Sequence, residues 1–172
     1  MTALAEWLLA AALAFAPPEK AKQFPGFEET PAQARARYAS IAADIDTAAG
    51  GDKAKAALLL AIALGESGLA KDVDSGTCYR IGAYRSRCDA GTSHSLWQVK
   101  AYGITAAELK TDRLKAAKKA LALAQSSLGS CRALDPRDRL SQYATGSCKA
   151  GVASAQARFD LWGKVYAWRA AP

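Results

Sequence analysis

The 172-residue sequence holds one histidine, one methionine and four cysteines, and no two cysteines are separated by only two residues. A multi-histidine metal site is therefore excluded, and so is the paired-cysteine spacing through which small zinc modules hold their ion. No cofactor and no metal are expected. The apolar stretch Trp7 to Ala16 is ten residues long, short of the roughly 20 needed to cross a bilayer. Repeats and low-complexity tracts are absent, and 51% hydrophobic residues exclude a disordered chain. What remains is one basic domain of ordinary size, with 23 Lys and Arg against 16 Asp and Glu.

The cysteines fall as two local pairs, Cys78 with Cys88 and Cys131 with Cys148, each bracketing a short polar stretch. Four cysteines allow three connectivities, and pairing of nearest neighbours is the one expected here because it closes loops. Disulfides would put the protein in an oxidising setting such as the periplasm, the cell wall or an exported particle. The segment before the apolar stretch carries Glu6 and no Lys or Arg, which is the wrong n-region for a signal peptide. We therefore expect a retained helix within residues 1–20, docked on the domain, on a membrane surface or on an assembly partner. A stretch punctuated by Pro17, Pro18, Pro25 and Gly26 follows.

Thr30-Pro31 reads as a helix start, Tyr38, Ile41 and Ile45 continue at helical spacing, and Gly50-Gly51 ends the run. Asp52 caps a second helix whose interior, AKAALLLAIAL, is apolar all round, as in the centre of a domain. Residues 75–95 read as a long functional loop with at most a small hairpin. Thr105 and Glu108 form a capping box, Thr111-Asp112 opens a helix to about Leu128, and Asp135-Pro136 opens another reaching Tyr143. The last helix, about Val152 to Arg169, places Phe159, Trp162, Tyr166 and Trp168 near one side as core residues. The class is mainly α. We divide the chain into residues 1–45, with the apolar helix, the linker and the start of the amphipathic helix, and residues 46–172 as the main domain.

Glu66 follows the apolar run directly and precedes Ser67-Gly68. At the carboxyl end of a buried helix, desolvation and the negative end of the helix dipole both raise its pKa, which is what a general acid needs near neutral pH. Asp72-Val73-Asp74-Ser75-Gly76 has the alternating carboxylates of an EF-hand loop, but Ala83 stands where the bidentate Glu belongs, so calcium is rejected. His94 has no acidic or serine companion at telling spacing and is given no catalytic role. Trp97 is left open between stacking on a ligand and core packing.

Three segments in order carry a resemblance: Glu66-Ser67-Gly68-Leu69, Ser95-Leu96-Trp97-Gln98-Val99 and Gln142-Tyr143-Ala144-Thr145-Gly146. Together they resemble the E-S-G, G-L-M-Q-[LIV] and A-Y-N-x-G motifs of the lytic transglycosylase and goose-type lysozyme superfamily, over roughly residues 53–166. The resemblance implies a lysozyme-like single domain that cleaves the β-1,4 bond between N-acetylmuramic acid and N-acetylglucosamine in peptidoglycan. It implies Glu66 as the acid/base, Gln98 in contact with the substrate and Tyr143 near Glu66, orienting its carboxyl or the sugar, while Ser67, Ser95 and Trp97 in the same segments are further candidates for substrate contact. The chain departs from the motifs at Ser95, Trp97 and Ala144, where glycine, methionine and asparagine are usual.

A second carboxylate separates two routes. Asp72, Asp74 and Asp89 are the candidates, and Asp89 is the one that could activate water, as a goose-type lysozyme requires. With none in the cleft, the route implied is the transglycosylase one, in which the muramyl 6-hydroxyl closes a 1,6-anhydro ring. A non-catalytic structural or DNA-associated particle component on the same fold is the reading from another class. The basic charges are scattered and no nucleic-acid motif accompanies them, so an anionic cell wall is the simpler partner. Phage particles and envelope-spanning secretion machines are the settings that such a small wall-cutting domain would suit.

Overall fold

The computed structural model describes residues 1–21, 23–81, 85, 86 and 88–169. Its centre is the predicted apolar helix, α3 (Lys53–Ser67), whose residues from Ala56 to Ala63 are all buried. Asp52 starts it, Oδ1 accepting the amides of Ala54 and Lys55 at 2.8 and 3.1 Å. Burial of Leu58, Leu59, Leu60 and Ile62 stabilises by about 1.5–3 kcal/mol each.

Against α3 lies α2 (Pro31–Ala49), begun by a Thr30–Gln33 capping box, with Tyr38, Ile41 and Ile45 buried. After the short α5 (Ala106–Thr111), α6 (Arg113–Ser130) turns a buried face of Ala116, Ala117, Ala120 and Ala124 inward. Small side chains at these positions let two helix axes come close. The opposite flank of α3 is closed by α8 (Ala153–Ala167), where Trp162 Nε1 donates to the Ala54 carbonyl at 3.0 Å.

The apolar amino terminus forms α1 (Ala3–Phe15). Leu8, Ala11 and Ala12 are buried against α2 and α3, and Trp7 Nε1 donates to the Trp168 carbonyl at 3.2 Å. Of the three settings considered for this segment, the domain itself supplies the contacts seen. The division drawn after residue 45 falls inside α2, and residues on both sides of it share one core.

Three local expectations are corrected. The helix predicted from Asp135 to Tyr143 is instead a 3₁₀ turn, Pro136–Asp138, followed by α7 (Ser141–Thr145). Asp138 points inward and accepts from the Gly151 amide and Gln156 Nε2, while the Arg139 carbonyl takes the Ser127 hydroxyl at 2.8 Å, so the chain is bound sideways where a helix would continue. Second, two hairpins form rather than one at most. β1 (Arg80–Ile81) pairs with β2 (Arg85–Ser86), and β3 (Ser93–His94) pairs with β4 (Val99–Lys100), all antiparallel. Third, the aromatic side of α8 is core only in part. Phe159 and Trp162 meet edge to face at 5.7 Å, partly buried, whereas Tyr166 is 50% exposed.

Two disulfides join Cys78 to Cys88 and Cys131 to Cys148. They fit an oxidising compartment. No described helix is long and apolar enough to cross a membrane. After α3 the chain reverses through Gly68 and Leu69, both with φ near +60°, into the single turn α4 (Lys71–Asp74). An ion-pair chain holds this reversal. Arg37 on α2 pairs with Glu29 and donates to the Leu69 carbonyl at 2.8 Å, and Arg113 on α6 grips Asp74 through Nε and Nη2 at 2.8 and 2.9 Å while reaching Asp44 at 2.9 Å.

Candidate functional site

Glu66 sits in the last turn of α3, its side chain 15% exposed. Its Oε1 accepts from Arg158 Nε at 2.7 Å, and the charged Nη2 lies 2.5 Å from the same oxygen. Burial is the largest influence on the carboxyl and pushes its pKa up. The Arg158 guanidinium pulls it back, the Asp89 charge adds to the rise, and the net shift is upward. The expected direction of shift is therefore found with a partner, Arg158, that sequence reasoning missed.

Asp89 opens a 3₁₀ turn after the first disulfide and is itself left-handed, at φ +46°. Its Oδ2 accepts the Ser93 hydroxyl at 2.8 Å and its carbonyl takes the Thr92 hydroxyl at 2.9 Å. The turn thus holds an exposed carboxylate within electrostatic reach of Glu66. The other two candidates are engaged elsewhere. Asp72 is buried and accepts the Tyr79 amide at 2.8 Å, with its carbonyl taking the amides of Thr77 and Cys78, and Asp74 is gripped by Arg113. Both carboxylates of the supposed calcium loop are therefore structural. Its twelfth position, residue 83, lies outside the described residues.

Tyr143, on α7, is placed by two serines. Ser127 on α6 accepts the Tyr143 amide at 3.1 Å, and Ser141 accepts the Lys149 amide while its hydroxyl meets Cys131 Sγ, fastening α7 to the second disulfide. The Tyr143 hydroxyl donates to the Trp97 carbonyl at 2.7 Å. Burial raises the pKa of the phenol far above its usual value, the Glu66 charge adds to this, and Arg158 opposes it. Tyr143 is thus a neutral donor that ties the third motif to the second, beside the carboxyl of the first.

The second motif is the turn of the β3–β4 hairpin. Ser95 and Gln98 hold its two ends at φ +64° and +50°. Gln98 Nε2 donates to the Ser95 carbonyl at 3.0 Å and touches Cys88 Sγ at 3.3 Å, so this amide braces its own loop against the first disulfide. Trp97 is fully buried and its Nε1 donates to the Leu59 carbonyl at 2.9 Å. It is a core residue with no face on which a sugar could stack, which corrects the substrate-contact assignment. Ser67 is buried as well, donating to the Ala63 carbonyl at 2.8 Å and accepting the Leu69 amide at 3.3 Å. Ser95 is buried with no hydrogen-bond partner for Oγ among the described residues. His94 is buried in β3, and burial together with the Lys110 charge lowers its pKa, keeping it neutral at pH 7.

The structure therefore gathers Glu66, Asp89, Tyr143 and Arg158, with Gln98 and Trp97 supporting the frame. Among the described residues no three His, Cys, Asp or Glu side chains come together as a metal site requires. The signal for Arg158 was present but indirect. It stands three residues after the buried Ala155 and seven before the buried Val165, a charged residue on the inward stripe of α8, and such a residue calls for a buried partner. Comparison of the chain with protein-family models, with curated proteins and with solved structures finds no significant match.

Proposed function

We propose that this is a lysozyme-like, peptidoglycan-cleaving lytic transglycosylase with Glu66 as general acid/base. The observation that carries the reading is the Glu66 carboxyl itself, a largely buried acid of raised pKa at the end of the central helix, with the two other motifs converging on it through Tyr143 and Trp97. In the proposed reaction Glu66 gives its proton to the glycosidic oxygen as the bond to the muramyl C1 breaks. It then takes the proton of the muramyl 6-hydroxyl as that oxygen closes the 1,6-anhydro ring. Substrate supplies the nucleophile, so one carboxylate suffices. The net positive charge favours an anionic wall. The disulfides suit delivery outside the cytoplasm, for which a phage particle or a secretion machine is the proposed setting.

A second reading rests on Asp89. Its charge acts on Glu66, and its turn is held in a strained conformation by Thr92 and Ser93, which supports hydrolysis with Asp89 assisting water or the oxocarbenium ion. Digestion of purified peptidoglycan followed by mass analysis of the products tests both. Anhydro-muropeptides that survive Asp89→Asn identify the transglycosylase, whereas reducing ends that vanish in Asp89→Asn identify the hydrolase. Equal cleavage by wild type and Glu66→Gln overturns the assignment of Glu66.

A further inference from the structure

The pairing of Glu66 with Arg158 is unusual in its atoms. A guanidinium and a carboxylate commonly meet fork to fork, one nitrogen on each oxygen. Here Nε donates to Oε1 at 2.7 Å, Nη2 lies 2.5 Å from that same oxygen as an ion-pair contact, and no described residue donates to Oε2. The guanidinium is fixed from behind, since Nη1 donates to the Ser154 carbonyl at 2.6 Å and the stem lies over Gly65, with Cγ 3.5 Å from where a β-carbon would stand. Arg158 is 13% exposed, so the contact is not a loose surface pair.

The two geometries respond differently to a proton. In a fork-to-fork pair either oxygen that is protonated loses its acceptor role toward one nitrogen, and the pair must open. When both donors sit on one oxygen, the proton can settle on the other. The carboxyl is then a neutral acid whose carbonyl oxygen still accepts the Nε bond. Only the Coulomb attraction is lost, and burial already favours the neutral form. The groups facing the carboxyl are Arg158 from α8, Asp89 from the 3₁₀ turn and Tyr143 from α7.

We propose that Arg158 is the positioning residue of Glu66: by chelating Oε1 alone it assigns the transferable proton to Oε2 and lets the carboxyl alternate between acid and base without changing rotamer. This deepens, and rests on, the cleavage reading above. The proton that leaves for the glycosidic oxygen and the proton that returns from the 6-hydroxyl both pass through Oε2, and no rotation separates the two half-reactions.

The test has one arm in the reaction and one outside it. On soluble peptidoglycan strands, Arg158→Ala is expected to lower kcat by about 10²-fold, the scale of a misplaced catalytic group. It is also expected to move the basic limb of the kcat/KM profile to higher pH, because a charge that lowers the Glu66 pKa is gone. Arg158→Lys keeps the charge without the two-donor fork and is expected to hold the limb in place while kcat stays reduced. An Arg158→Ala protein with wild-type kcat and an unmoved limb overturns the proposal, as does full recovery by Lys. If Arg158→Ala does not fold, Lys alone decides. Independently of activity, ¹³C-carboxyl titration should place the Glu66 midpoint higher in Arg158→Ala. In the wild type the Arg158 Nε–H should stay slow to exchange with water on both sides of that midpoint. Fast exchange once Glu66 is protonated overturns the proposal, whereas an intact titration in a protein that cuts no peptidoglycan overturns only the cleavage reading.

Discussion

The most quantitative consequence of the site concerns Ser95. It combines two costs at one residue, a left-handed backbone at φ +64° and a buried hydroxyl with no partner among the described residues. A residue with a β-carbon held in the left-handed region costs about 1–2 kcal/mol, and an unsatisfied buried hydroxyl about 1–3 kcal/mol. Glycine removes both, at the expense of about 0.5–1 kcal/mol of extra freedom in the unfolded chain. Ser95→Gly should therefore stabilise the protein by about 1–4 kcal/mol, and a domain of this size gains about 2–4 °C in melting temperature per kcal/mol.

Chemical denaturation with the disulfides intact measures this, and Ser95→Ala divides the total. Alanine keeps the strained backbone and removes only the hydroxyl, so it should gain less than glycine. A Ser95→Gly protein no more stable than wild type would refute the reasoning, since the hydroxyl must then be satisfied or the turn not left-handed. The motif that this segment resembles has glycine at the position. Strain kept against an available remedy is a mark of functional sites. A variant that is both more stable and slower on peptidoglycan would place Ser95 at the substrate, whereas one that is more stable and equally fast would make it a backbone position only.

Stability should also depend on pH through Glu66. Its folded pKa lies above the unfolded value, so the native state binds the proton more tightly; stability is fully present below the ordinary Glu range and falls as pH rises through the folded pKa. Wild type minus Glu66→Gln, by urea unfolding across that window, should show the fall, and a flat difference would contradict the shift. Replacing Cys131 and Cys148 by serine opens a link spanning 17 residues and should cost about 3 kcal/mol, with loss of order in α7 read from the fluorescence of its Tyr143 neighbourhood. Arg113→Ala removes the grip on Asp74, whose side chain is 5% exposed, and should cost less than the about 3–5 kcal/mol of an uncompensated buried charge, because Arg37 remains at 3.6 Å; Arg113→Lys should recover part of it in the same melt.

Much of the helical frame was legible in the sequence because its signals are local. Thr30-Pro31, Asp52 and the Thr105–Glu108 box each act within one turn, and the structure realises them as caps. The β3–β4 hairpin was not legible. Its turn is made by Ser95 and Gln98 in left-handed backbone, with none of the glycine or asparagine that usually announces such a turn. The broken helix after Asp135 failed for a related reason, since the groups that divert it, Ser127, Gly151 and Gln156, lie in other elements. Trp97 was ambiguous for as long as its burial depended on α3 lying beneath it.

The carboxyl shows where local reading stops. Its position and the sign of its shift follow from an apolar helix that ends in Glu66-Ser67-Gly68, because burial comes with the helix. Whether such an acid can work depends on its counter-ion. A buried carboxyl without one becomes too reluctant to ionise and serve as base, and one gripped on both oxygens becomes too reluctant to take a proton. Arg158 stands 92 residues away in sequence and answers this by bonding a single oxygen. A charged residue on the inward stripe of a terminal helix can be seen in the sequence. That its guanidinium meets Oε1 alone follows from how α8 packs on α3, and in the proposed reaction this choice of atom is what would separate a reversible proton carrier from a structural salt bridge.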